Sequence, residues 1–337
     1  MGIRPMPWDA WIELDSHYLD YLAIRKSRLK TRGDKVVRTL PGAERATLEV
    51  CTELASYLAH RYPSVFRVER AYDSGGLGCG DSLVGPNGGR VKTIEIIPTG
   101  DKWDLDHDDP MIVAGLLADD LAIMMEGEDG LYYMQAGSIC VPGSWRLEDK
   151  IGLPLAEIHL RGNVYKYKEV LEFSMNRFFS KLSVDKPVQR NNYSFQFEPD
   201  LSWLEEAHGN EDDFDQRTKI PRRGTKSIQN WRHMEPITDP SRIYFRSERQ
   251  TLRRMPITGC ILFTIRTYLH PVREIVKEAG VPGRLAASIR GWDDAVAARK
   301  EKALFADALL PWLDQLHEEQ ISNGVIKLDD KSDRYPY

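Results

Sequence analysis

The spacing of apolar positions changes several times along this chain, and the changes mark out its elements. From Trp8 to about Tyr62 the spacing is helical: Tyr18, Tyr21, Leu22 and Ile24 begin one stripe, and Val50, Cys51, Leu54 and Leu58 continue another beyond a Pro41-Gly42 break. Residues 73–90, with Ser74-Gly75-Gly76-Leu77-Gly78-Cys79-Gly80 and Gly85-Pro86-Asn87-Gly88-Gly89, read as turn chemistry around a short strand. Val91 to Pro98 is rich in β-branched residues and predicts a strand. Asp109-Pro110 predicts a helix start, Asp as the cap and Pro at the first helical position, and the apolar run from Met111 to Met125 supplies its body. A turn from Gly127 to Gly130 leads into a strand from Leu131 to Val141, stopped by Pro142-Gly143.

Trp145 to Lys150 is a polar helical stretch, followed by the apolar run Ile151-Gly152-Leu153-Pro154-Leu155-Ala156-Glu157-Ile158-His159. A long amphipathic helix, about Tyr165 to Leu182, places Val170, Leu171, Met175, Phe178 and Phe179 on its apolar face. Asn192 to Phe197 alternates as a strand, whereas 200–235 turns from acidic to basic without a regular pattern and predicts a long excursion. Arg242 to Arg249 and Gly259 to Leu269 predict two more strands joined by Met255-Pro256. Helices around Ala286 to Ile289 and from Asp293 through Leu316 close the chain. The order predicts an α+β fold with an antiparallel sheet covered on one face by helices. Its expected parts are an N-terminal helical extension over 1–70, a core over 71–275 with an insert around 200–238, and C-terminal helices over 276–337.

Composition narrows the function classes. A formal net charge of -5 over 337 residues lacks the basic field that non-specific nucleic-acid binding needs. Cys51, Cys79, Cys140 and Cys260 form no C-x-x-C pair, which argues against a zinc or iron–sulfur site and for reduced, mostly buried thiols. The opening Met-Gly-Ile-Arg-Pro-Met has no apolar core of a secretory leader, and no apolar run approaches the ~20 residues that span a bilayer, so a cytoplasmic location is expected. The glycines at 75–80 lack the spacing and following helix of a dinucleotide fold. Asp104, Asp106 and Asp108 lack the Gly and Glu of a calcium loop, and no G-x-S-x-G elbow occurs.

Three clusters remain as candidate chemistry. A single histidine in an apolar frame, His159, is most often a core or capping residue, but haem needs only one protein imidazole and an apolar slot. Arg246-Ser247-Glu248-Arg249-Gln250-Thr251-Leu252-Arg253-Arg254 reads, by itself, first as a solvated strand end with charges of both signs. Alternation there sends Glu248 and Gln250 to one face and Arg249 and Thr251 to the other. A carboxylate on such a face favours an ammonium, and Arg or Gln donors favour developing negative charge or a propionate. Arg190-Asn191-Asn192-Tyr193 is a turn opening an edge strand, or a pair of donors in Arg190 and Asn192.

These residues carry a family resemblance. Trp11-Ile12-Glu13-Leu14-Asp15, Trp145 through Gly152, the run ending in His159, Arg190-x-Asn192-Tyr193, and above all Glu248 through Pro256 with Phe263-Thr264-Ile265-Arg266-Thr267-Tyr268 resemble the haem-dependent oxidative N-demethylases over roughly residues 8–290. The resemblance implies a PAS-like haem b domain with His159 on the iron. It implies oxidation of a small amine with O2, and electrons drawn from NADPH through a separate flavin and iron–sulfur reductase. Arg190, Asn192, Glu248 and Arg249 then become the catalytic candidates, and Arg246, Gln250, Arg253 and Arg266 join His159 as cofactor-binding candidates. His159 is followed here by Leu160-Arg161-Gly162-Asn163-Val164, where the family commonly has a Pro-Val-Pro type sequence. The competing expectation is a haem-binding PAS-like sensor of gas or redox state that performs no catalysis.

Overall fold

The computed structural model describes residues 2–71, 89–162, 164, 167–215, 220–221 and 235–326. The glycine-rich stretch that begins at residue 73, Cys79 and much of the expected excursion lie outside the described residues. In chain order the elements are β1 (Arg4–Pro5), α1 (Tyr18–Arg32), β2 (Val37–Thr39), α2 (Glu44–Arg61), β3 (Phe66–Ala71), β4 (Arg90–Ile96), β5 (Asp101–Asp104), α3 (Pro110–Leu117), β6 (Asp120–Glu126) and β7 (Tyr132–Ser138). There follow α4 (Leu155–Arg161), a π-helical turn (Tyr167–Leu171), α5 (Glu172–Lys181), β8 (Val188–Gln196), α6 (Glu205–His208), β9 (Phe214–Asp215), β10 (Ile220–Pro221), β11 (Tyr244–Arg254) and β12 (Ile261–Pro271). The last helices are α7 (Val272–Ile275), α8 (Val281–Arg290), α9 (Asp294–Arg299) and α10 (Ala306–Ser322). The mixture of helices and antiparallel sheet is α+β.

The largest sheet has the strand order β1-β8-β11-β12-β6-β7-β2, a second has β3-β4-β5, and β9 pairs with β10. The chain forms two compact units, Met1–Asn191 with Arg249–Arg266, and Asn192–Glu248 with Thr267–Tyr337.

In the first unit, the Asp109 side chain accepts from the amides of Met111 and Ile112 at 2.7 and 3.2 Å, so the expected cap forms and α3 begins at Pro110. The helix stops at Leu117, however, and Asp120–Glu126 is a strand antiparallel to β7 and to β12, where the sequence pattern predicts continuous helix. Both α3 and β6 are buried almost all round, so their apolar positions merge into one run whose period distinguishes nothing. β2 also falls inside the stretch expected to be helical, its three residues pairing with β7 at Val37↔Ser138. The helix expected from about Tyr165 is a π-helical turn joined to α5, and Val170, expected inside, is 62% exposed.

α3 packs close to β7 because residue 115 is glycine: a Cβ there would stand 2.0 Å from Ser138 Oγ. Val50, Leu54 and Leu58 of α2, Met111 and Leu117 of α3, and Leu121 and Ile123 of β6 fill the core, each large aliphatic side chain contributing about 1.5–3 kcal/mol of burial. Charge is buried here too. Arg25 pairs with Asp120 at 2.9 Å and donates to the Gly115 carbonyl at 3.2 Å, while Asp120 accepts from the amides of Cys140 and Val141 at 2.9 and 3.1 Å. The neighbouring Asp119 is buried with neither carboxylate oxygen hydrogen-bonded among the described residues. Burial pushes its pKa up to about 6, against the pull of Arg266, Arg25 and Arg249. Cys51, Cys140 and Cys260 are buried free thiols.

The second unit has its own core, in which Phe195, Ile243, Val272, Ile289, Phe305, Leu309 and Leu313 bring α8 and α10 against the strand residues.

Candidate functional site

α4, which carries His159, is anchored to β7. Gly152 donates to the Met134 carbonyl at 2.7 Å, Met134 donates back to Leu153 at 3.0 Å, and Pro154 bridges to Tyr133. Gly152 stands at φ 79°, a conformation that disfavours any side chain. Pro154 then leads into the helix with extended backbone, and one turn on His159 Nδ1 lies 2.7 Å from the Leu155 carbonyl oxygen. A carbonyl only accepts, so Nδ1 carries the proton and, in the neutral ring, Nε2 keeps the lone pair, the arrangement that prepares imidazole for a metal. The ring is stacked on Tyr167, centroids 4.8 Å apart and planes 10° from parallel, which fixes its orientation. Tyr167 is 1% exposed and its hydroxyl has no hydrogen-bond partner among the described residues; burial, with the Glu172 charge adding to it, pushes its pKa up to about 12.

Haem asks a protein for one imidazole of fixed tautomer and for apolar surface, and this region offers both. Val170 and Phe173 are exposed at 62% and 79%, on the π-helical turn that packs on α4 and on the first turn of α5, apolar surface of the kind a flat macrocycle covers. Among the described residues no three His, Cys, Asp or Glu side chains converge to hold a bare metal ion. The residues present therefore fit haem better than an isolated cation.

Three predicted cofactor or catalytic arginines of the same unit hold its N-terminal segment. Arg249 donates to the carbonyls of Ala10 and Trp11 and to Gln189, and pairs with Glu13 at 3.3 Å. Arg253 pairs with Glu53 at 2.6 Å and lies over the rings of Trp11 and Trp8 at 4.3 and 4.9 Å. Arg266 pairs with Asp15 at 2.7 Å and lies over Tyr21 at 4.0 Å. Gln250 is buried on β11, with Thr251 bonded to Thr264 at 2.7 Å, and Arg190 is half-buried on β8.

The second unit brings together Asn192, Arg246 and Glu248. Asn192 donates to one Glu248 oxygen at 3.3 Å, and the Arg246 guanidinium is 3.8 Å from the other. Arg246 is also fixed by Gln196 and the Leu201 carbonyl at 3.3 and 3.2 Å. Beside them is a group that the sequence reading missed. Lys300 lies over the ring of Tyr193 at 4.0 Å and of Trp292 at 5.2 Å, and donates to the Tyr193 carbonyl. Burial, with Arg299 adding, lowers its pKa to about 8, while Glu248 opposes the shift. Tyr193 is locked by Ser288 at 2.6 Å and by the Trp292 indole at 3.1 Å. No local pattern marks Lys300, because Tyr193, whose ring and carbonyl it meets, is about a hundred residues earlier in the chain. Tyr167, eight positions after His159, is likewise visible only through the fold.

Among the described residues no helix is long and apolar enough to cross a membrane. Compared with known proteins, the chain matches the sequence model described as haem-dependent oxidative N-demethylase, alpha subunit-like, over residues 2–310. That name implies haem and an oxidative N-demethylase-like activity. The match extends over nearly all of the first unit, into the second as far as residue 310, and over every candidate residue above, and this chain belongs to the haem-dependent oxidative N-demethylase, alpha subunit-like family.

Proposed function

We propose that the protein is a haem b-dependent monooxygenase that removes a methyl group from a small amine, within a PAS-like sheet and in the cytoplasm. O2 is the oxidant, and the electrons come from NADPH through a separate flavin and iron–sulfur reductase. The observation that carries the reading is His159: its Nδ1 proton is committed to the Leu155 carbonyl and its ring plane to Tyr167. The carbonyl raises the basicity of Nε2, which is the proposed iron ligand. When bound, haem supplies the redox chemistry at iron; the chain supplies its seat and the amine's surroundings.

Glu248 is proposed to hold the substrate as an ammonium ion, with Asn192 fixing the carboxylate's orientation and the Arg246 guanidinium lying beside its other oxygen. Arg190 and Gln250 are proposed donors to oxygen or a propionate, a role also proposed for Arg246. Arg249, Arg253 and Arg266 are proposed to act toward the cofactor through the segment they hold in place. Loss of the methyl group as formaldehyde consumes one O2 and two external electrons, and leaves the amine one methyl shorter.

The test is the absorption spectrum of protein from haem-supplemented cells, wild type against His159→Ala. A Soret band that the substitution abolishes or displaces is the expected result; an unaltered band in the folded variant overturns the ligand assignment. Formaldehyde release from a panel of methylated amines, driven by NADPH and a reductase, tests turnover.

A further inference from the structure

We infer that Tyr193, Trp292 and Glu248 form a binding site for a small alkylated ammonium ion, and that Lys300 occupies it as an internal competitor which the ligand displaces. The inference deepens the proposed role of Glu248 and, for the identity of the physiological amine, rests on it. The site itself rests on geometry within the second unit.

Four observations converge. Two aromatic faces address one position, with the Lys300 ammonium 4.0 Å from one centroid and 5.2 Å from the other. Ring faces attract cations through their quadrupole, and they suit methylated ammonium ions best because those are weakly hydrated and present apolar methyl groups. The Tyr193 carbonyl accepts from the same ammonium, so an N–H also has its place. Glu248 supplies the negative field while its own oxygens are held by Asn192 and Arg246, so it neutralises an incoming cation without collapsing onto Lys300. The rings are rigid: Tyr193 is bonded to Ser288 and Trp292 and stacked on Phe245 at 5.4 Å.

Lys300 is a poor permanent occupant. A primary ammonium is strongly hydrated, and burial here lowers its pKa to about 8, so keeping it charged costs free energy. It makes no ion pair among the described residues. The residue after it, Glu301, stands at φ 55°, the one positive-φ residue other than glycine among those described, at the junction between α9 and the next helical turn. Left-handed backbone of this kind is strained for a residue with a side chain, so withdrawal of Lys300 from the rings gives Glu301 a route to relax. The tether gives Lys300 a high effective concentration, and its removal raises the apparent affinity of a weakly hydrated alkylated ammonium ion that the rings favour.

The experiment is calorimetric titration of the full-length chain with trimethylammonium chloride, ammonium chloride serving as the control. Lys300→Ala is expected to bind trimethylammonium about tenfold more tightly than wild type, with no such gain for ammonium, and Lys300→Ala/Trp292→Leu to lose the gain. Equal affinity in wild type and Lys300→Ala, or a gain that survives Trp292→Leu, overturns the inference. Should Lys300→Ala not fold, wild-type protein is acetylated with a succinimidyl ester and the Lys300 peptide followed by mass spectrometry. Trimethylammonium is expected to raise its labelling several-fold over sodium chloride at equal ionic strength, and unchanged labelling overturns displacement. Soret spectra of the same samples separate the two readings: a failed titration beside a His159-dependent Soret band removes only the ammonium site, and the converse result removes only the haem ligand.

Discussion

The buried arginines of the first unit and Lys300 of the second are held differently. In the first, Arg25, Arg253 and Arg266 each lie against a carboxylate at 2.9, 2.6 and 2.7 Å, and Arg253 and Arg266 also lie on aromatic rings. In the second, Lys300 has the rings and a carbonyl but, among the described residues, no paired carboxylate. A planar guanidinium with several directed bonds is fixed in place, and removing either partner leaves a buried charge exposed to its full desolvation cost. An ammonium held by ring faces and one carbonyl loses less when another cation replaces it. The difference separates scaffold from exchangeable site without reference to exposure, since both kinds of cation are largely buried.

The largest effect expected from this contrast is at Asp120. Asp120→Ala leaves Arg25 buried and unpaired and frees two amides, and it is expected to cost about 3–5 kcal/mol in urea unfolding. A cost under about 1 kcal/mol would show that the pair is not scaffold. Asp119 tests the opposite sign. Its folded pKa of about 6 is above the ordinary 3.8, so folding is penalised at neutral pH, and the penalty fades as pH falls through 6 toward 4. Asp119→Asn is therefore expected to stabilise the protein by about 2–3 kcal/mol at pH 7.5 and by little at pH 4, read from paired urea midpoints. The smallest effect belongs to Lys300: Lys300→Met is expected to change stability by less than about 1 kcal/mol at pH 7. Because its folded pKa is lowered, wild type should gain on this variant as pH rises from 8 toward 10.5. A loss as large as that of Asp120→Ala would make Lys300 part of the scaffold.

The parts of the fold legible in the sequence are those with a local cause. Asp109-Pro110 announces α3 because capping involves only the next three residues, and the run Ile261 to Leu269 announces β12 because β-branched and aromatic residues alternate there. The boundary between α3 and β6 is not legible in apolar spacing, since both elements are buried all round. His159 stands out as a lone imidazole in an apolar frame, whereas the stack that orients it needs a π-helical turn that no residue pattern announces. The basic run from Arg246 to Arg254 is plain in the sequence. What it binds is not: Arg249 takes residues more than two hundred positions away, and only tertiary contact decides that its partners are Ala10 and Trp11.

The segment from Trp8 to Asp15 is held by Arg249, Arg253 and Arg266, side chains of the last stretch to join the first unit. The strands that receive these residues are synthesised about 250 codons after them, roughly 10–50 s later at ordinary elongation rates. Until then Trp11 and Ile12 have only α2 and the residue after it to meet, through the Trp11–Tyr57 ring contact and the Tyr57 and Tyr62 hydroxyls on the Ile12 carbonyl, and the second unit's Asn192–Glu248 segment is synthesised in the interval. Completion of the first unit therefore waits for a late stretch of the chain, and the segment from Trp8 to Asp15 is a place where a nascent chain has apolar surface that needs shielding.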